Sequence, residues 1–233
     1  MLTQHLTRKE WPMIVTLLRH GVAVDRADPR SPPDFERPLT VEGRNRAESA
    51  LRGLRALGVK PDRLLASPWV RCQQTARLAI QALGLPRRDL VTSELLAPGV
   101  DPRAIWEHLA TLGAGSILLV GHGGTLEPIA GVALGLPTHI PNAPAPTADL
   151  AYRTLALRKA GALQLEVRFS GRSQPPPDPE PPVPQEPEPE SVAQAMQIPA
   201  DVDTAAPADH RGPVDEARLA WKLPARILRQ IGR

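Results

Sequence analysis

The run Ile14-Val15-Thr16-Leu17-Leu18 leads straight into Arg19-His20-Gly21, and no other stretch of the 233-residue chain limits the possible folds as tightly. Five strand-favouring residues without polar alternation predict a strand buried on both faces, the pattern of a central parallel strand. Open α/β sheets put their ligand sites just beyond the carboxyl ends of such strands. A guanidinium and an imidazole delivered there suit the handling of a phosphoryl group, because Arg19 could grip two oxygens while His20 attacked phosphorus. Gly21, without a Cβ and tolerant of positive φ, would let the backbone come close. Taken alone, the tripeptide also fits an ordinary strand end.

The arrangement recurs along the chain. Arg63–Ala66 predicts a second strand, followed by Ser67-Pro68-Trp69-Val70-Arg71-Cys72-Gln73-Gln74-Thr75, with Pro68 in the first turn of a helix ending at Gly84. Arg71 then lies beside free helix amides that also face an anion. Asp89–Thr92 predicts a third strand, with Glu94 just past it, and Asp101-Pro102 opens a helix closed by Gly113. Ser116–Val120 predicts a strong fourth strand ending in Gly121-His122-Gly123-Gly124. The next helix points its positive end at His122. Between the first strand and a helix capped by Thr40, Val22–Pro38 holds four prolines and reads as a loop or short lid beside the site.

Strands alternating with helices predict an α/β fold, a three-layer α/β/α sandwich around a mostly parallel sheet. Asp149–Leu157 and Leu163–Phe169, flanking Lys159–Ala162, predict a hairpin at one edge. The expected organisation is an N-terminal extension at 1–12, a globular domain at 13–171, a Pro-rich disordered linker at 172–213 and a short basic helix at 214–233. That helix rests on Leu219, Leu223, Ile227 and Ile231 spaced four apart, interrupted by Pro224 and suited to an acidic partner or a membrane surface.

Several function classes are disfavoured. Net charge is only +3 and the basic residues do not gather with aromatics, so nucleic-acid binding gets little support. One cysteine, Cys72, precludes an internal disulfide framework and fits a reducing compartment; a buried, inert thiol is favoured over a redox-sensitive one. No transmembrane stretch, signal-peptide core or metal-ligand spacing is evident, so a cytoplasmic protein without metal or cofactor is expected.

Four blocks in order, Leu18-Arg19-His20-Gly21, Arg37-Pro38-Leu39-Thr40-Val41-Glu42-Gly43, Ser67 to Thr75, and Gly121-His122, resemble the histidine phosphatase superfamily, which includes the phosphoglycerate mutases. Over roughly Met13–Phe169 the chain is most similar to the SixA-type phosphohistidine phosphatases. The resemblance implies a phosphoglycerate mutase-like fold, His20 as a transiently phosphorylated nucleophile, and Arg19, Arg71 and His122 as phosphate-binding catalytic residues, with Gly21 and Gly123 beside the phosphate. Two neighbouring guanidiniums would keep His20 neutral. Val22 stands where many members carry Glu or Gln, which disfavours a mutase. Glu94 lies near the superfamily's usual acid, with Asp25 as a second candidate; both fit equally well as solvated loop carboxylates. The leading expectation is hydrolysis of phosphohistidine on a protein partner. A small phosphomonoester as substrate is the alternative within the superfamily, and an inactive phospho-ligand binding module is the alternative outside enzymology.

Overall fold

A computed structural model describes residues 12–138, 154–169 and 212–232. Six strands, β1 (Met13–Arg19), β2 (Arg63–Ala66), β3 (Leu90–Thr92), β4 (Ser116–Gly121), β5 (Ala162–Phe169) and β6 (Val214–Leu223), form one sheet in the order β3-β2-β4-β1-β5-β6. The first four run parallel, β5 is antiparallel to β1, and β6 is antiparallel to β5. Helices α1 (Val41–Ala56), α2 (Val70–Leu83) and α5 (Ala225–Ile231) cover one face; α3 (Ala104–Thr111) and α4 (Leu126–Ala133) cover the other. The result is a three-layer sandwich of the phosphoglycerate mutase-like type.

Two cores follow from strand alternation. Met13, Val15, Leu17, Ile117 and Leu119 pack under α3 and α4, while Leu18, Leu64, Leu118 and Val120 pack under α1 and α2. Both faces being buried, each central strand must be apolar throughout, which is why β1 and β4 read as continuous runs. Their parallel register pairs Arg19 with Gly121, so His20 and His122 leave the sheet side by side.

Helix ends carry local signals. The Thr40 hydroxyl accepts a hydrogen bond from the Gly43 amide at 2.8 Å, capping α1, and Gly84 closes α2 in the left-handed region. Two starts differ from the sequence reading. Helix α2 begins at Val70, so Pro68 precedes its cap; α3 begins at Ala104, because the Asp101 carboxylate accepts from the Arg103 amide in a turn of its own.

The largest departures lie at the sheet's antiparallel edge. Residues 214–223 form a strand, and only Ala225–Ile231 are helical. Leu219, Leu223, Ile227 and Ile231 are four apart, and four is a multiple of the strand period as well as near the helical one, so the spacing fitted both. A bulge between Leu219 and Trp221 sets them opposite the adjacent residues Leu165 and Gln164 of β5, leaving Leu219 exposed, and Pro224 starts the helix rather than interrupting it. Pairing with β5 satisfies backbone groups that a lone basic helix would have left β5 to expose. Among the described residues the expected hairpin is not formed: β5 pairs with β1 and β6, and Thr154–Leu157 are not strand. Residues 149–153, most of the extension and nearly all of the linker lie outside the described residues.

Helix α5 crosses α1 at Gly53, where an added Cβ would sit 2.0 Å from the Leu228 carbonyl oxygen. In an ordinary helix interior Gly→Ala stabilises by about 1 kcal/mol. Here the sign is expected to reverse, with Gly53→Ala destabilising the full chain by about 1–3 kcal/mol in urea titrations as α5 is forced off. A variant more stable than wild type would contradict this packing.

Candidate active site

A cleft of about 280 Å³ opens at the carboxyl ends of β1 and β4, lined by Arg19, His20, Arg71, His122, Gly123, Trp69, Asp34, Arg37, Arg26 and Lys159, among others. A larger cavity between α1, α2 and the end of α5 is lined by Arg52, Arg55 and Leu78 among others, with no histidine or cysteine among the described lining residues, and the candidate site is the smaller cleft.

Arg71 is the hub. From the first turn of α2, its Nε donates to His20 Nε2 at 3.2 Å, its Nη2 lies 3.1 Å from His122 Nδ1, and its Nη1 donates to the Asp34 carbonyl at 2.6 Å. Its guanidinium also stacks 4.5 Å above the Trp69 ring.

Each histidine is held in one tautomer. His20 Nδ1 lies 2.7 Å from the Gly21 carbonyl, which requires the proton there and leaves a lone pair on Nε2. His122 faces an arginine donor at Nδ1, so its Nε2 carries the proton toward Ser67 Oγ at 2.9 Å. The two rings meet edge on with centroids 5.3 Å apart.

Burial lowers the His20 pKa to about 3; the Gly21 carbonyl opposes the shift, while His122, Arg71 and Arg19 add to it. Burial likewise leads in lowering His122 to about 3, with Arg71 next. Both imidazoles are therefore neutral at physiological pH, with desolvation rather than the guanidiniums as the main cause. Burial pushes the neighbouring Cys72 thiol up to about 12, which makes it unreactive.

Arg19 reaches the cleft from the end of β1, with Nη1 donating to the Leu157 carbonyl at 2.5 Å. Its Nε is buried and has no hydrogen-bond partner among the described residues. A Cβ at residue 123 would lie 2.5 Å from Arg19 Cζ, so only glycine lets this guanidinium lie against the β4–α4 turn. Glu127, 1% exposed, ties the same parts together: its carboxylate accepts from the amides of Gly124 at 2.7 Å and Leu157 at 2.9 Å.

Three residues singled out from the sequence fall elsewhere. Gly21 does not line the cleft, its φ is not positive, and its amide donates to Thr75 Oγ1 at 3.2 Å. It is glycine because a Cβ would press on the Gly43 carbonyl and on Ala47 of α1. Glu94 is exposed in the turn after β3, and Asp25 is exposed with its carboxylate accepting from the Ala27 amide; neither lines the cleft. The carboxylate that does is Asp34, bonded by Arg37 and Arg26 and 3.7 Å from Arg71 Nη1. Burial raises its pKa, but those hydrogen bonds outweigh burial and hold it below the usual range. Two neutral imidazoles, four guanidiniums and an ionised carboxylate thus share one cleft.

Comparison with known proteins agrees with this geometry. Residues 15–95 match the model of the histidine phosphatase superfamily (branch 1). Phosphohistidine phosphatase SixA of Escherichia coli is 32% identical over 114 residues, covering 47% of this chain and 67% of that protein. The chain belongs to the histidine phosphatase superfamily. A structure of the protein histidine phosphatase SixA complexed with tungstate shares the fold, superposing with a TM-score of 0.57 at 18% identity and covering 93% of this chain and 99% of that one. A mycobacterial glucosyl-3-phosphoglycerate phosphatase shares the fold at a TM-score of 0.50 and 18% identity, over 69% of this chain and 94% of its own, so fold alone does not select a substrate. The match to an uncharacterised protein of Picosynechococcus is 39% identical and spans 41% of that protein's length. Among the described residues, no helix is long and apolar enough to cross a membrane.

Proposed function

We propose that this protein is a metal-independent phosphatase that hydrolyses phosphohistidine on a protein, through a covalent phosphohistidine at His20. The observation that carries the reading is the single guanidinium of Arg71, which touches the unprotonated Nε2 of His20 and Nδ1 of His122 at once. An oxyanion drawn to that guanidinium and to the unpartnered Arg19 Nε would bring its phosphorus in front of His20 Nε2.

Phosphoryl transfer leaves the protein little covalent work beyond positioning and charge stabilisation. His20 Nε2 attacks phosphorus as the substrate's P–N bond breaks, and the departing imidazole takes a proton from solvent. Water then attacks the phosphoenzyme, the P–Nε2 bond breaks, and inorganic phosphate leaves. Arg19 and Arg71 hold the equatorial oxygens throughout, while His122, with Nδ1 turned to Arg71 and its Nε2 proton to Ser67, positions the Arg71 guanidinium.

The leaving group is argued from Asp34. Held ionised by Arg37 and Arg26, it has no proton to give an alkoxide. An imidazole is a far more stable leaving group and needs less help. SixA of Escherichia coli, named a phosphohistidine phosphatase, supports the same choice.

The test compares kcat/KM of the full chain on a phosphohistidine peptide, a set of sugar phosphates and an aryl phosphate. Phosphohistidine is expected to lead by at least about tenfold. Preference for the sugar phosphates would overturn the reading in favour of a metabolite phosphatase, and no turnover of any would overturn it in favour of a binding module.

A further inference from the structure

The described residues lining the cleft carry five cationic groups, Arg19, Arg26, Arg37, Arg71 and Lys159, against one carboxylate, Asp34. Both histidines are neutral. A phosphoryl dianion brings at most about two negative charges, so the cleft keeps an excess of positive charge after it has bound.

That excess lies toward the rim. Arg19 and Arg71 are committed to the buried end, where they approach the β4–α4 turn and the two histidines. Arg26 and Arg37 come from the β1–α1 loop; the Arg26 side chain is 72% exposed, whereas Arg37 is 13% exposed and held by Asp34 and the Val24 carbonyl. Lys159 comes from the separate loop preceding β5; it is exposed and makes no hydrogen bond or ion pair within the described residues.

The rim already binds the kind of group it would recognise. One Asp34 carboxylate is shared among Arg26, Arg37 and Arg71, which leaves each guanidinium under-neutralised. A second phosphate would call for cations and amides converging on one point. Cations spread over two loops at an open mouth instead match carboxylates distributed along a polypeptide.

Resting on the phosphohistidine reading above, we infer that this enzyme selects phosphohistidine sites flanked by acidic residues, with Arg26 and Lys159 forming the specificity-determining rim. Lys159 is the decisive residue because it has no described internal partner to lose. The flanking carboxylates speed encounter and set register, while the buried groups act on phosphorus.

The experiment uses three phosphohistidine peptides identical except for flanks of two glutamates, two glutamines or two lysines on each side. For wild type, kcat/KM is expected to fall in that order, with the acidic peptide about tenfold above the basic one at low salt and the gap closing as salt rises. Lys159→Glu is expected to shrink that ratio about tenfold and Lys159→Gln to shrink it less. Melting curves verify that both variants fold. Equal turnover of all three peptides, a preference for the basic one, or a ratio unmoved in Lys159→Glu would overturn the rim's role while leaving the phosphohistidine reading intact. Failure to turn over any of the peptides while another phosphate ester is hydrolysed would overturn both.

Discussion

Replacing His20 with alanine is expected to reduce kcat on a phosphohistidine peptide by about 10⁴-fold or more, to the level of the uncatalysed reaction. The size of the effect follows from the proposed role, since His20 Nε2 is the atom that takes the phosphoryl group. Cys72 is disqualified by a thiol pKa pushed to about 12. The His20 ring packs edge on against His122, so the variant leaves a small void and melts somewhat earlier. Affinity for tungstate should fall far less than kcat, because the guanidiniums remain. A variant that kept more than about a hundredth of wild-type kcat would place the nucleophile elsewhere.

Arg71→Lys is expected to cost about 10²–10⁴-fold in kcat/KM, although it preserves the charge. The guanidinium makes three separate contacts in fixed directions, to His20 Nε2, to His122 Nδ1 and to the Asp34 carbonyl. A lysine ammonium is a single point on a flexible stem and cannot fill all three. The variant should therefore stay within about tenfold of Arg71→Ala in kcat/KM and bind tungstate poorly, while urea titration reports its stability separately. Near-complete rescue by lysine would mean that charge alone matters here and that the fork geometry is incidental.

How much of this was legible in the sequence depends on what each residue touches. Strands β1 and β4 are buried on both faces, so burial left an unbroken apolar record, and their register brought His20 beside His122. Arg71 was readable because it follows a strand end within one helical turn. Strand β6 was not, because a spacing of four obeys both periods and its partner β5 is about 50 residues away. Asp34 sits in a loop with no periodicity, and only its contacts with three arginines distinguish it from Asp25 or Asp28. Glu127 looks like an ordinary first-turn carboxylate until the fold brings the Leu157 amide to it. Gly21 was read as a phosphate contact, whereas the missing Cβ is demanded by the Gly43 carbonyl and Ala47 of α1, and sequence cannot tell which neighbour makes that demand.

The most direct measurement is capture of the intermediate. The full chain is mixed with a phosphohistidine peptide labelled on phosphorus, quenched in alkali within the first turnover, digested and mapped. Acid-labile, alkali-stable label confined to the peptide bearing His20, and absent from His20→Ala, is the predicted result. Product phosphate released without any labelled enzyme, or label carried by another residue, would contradict the account.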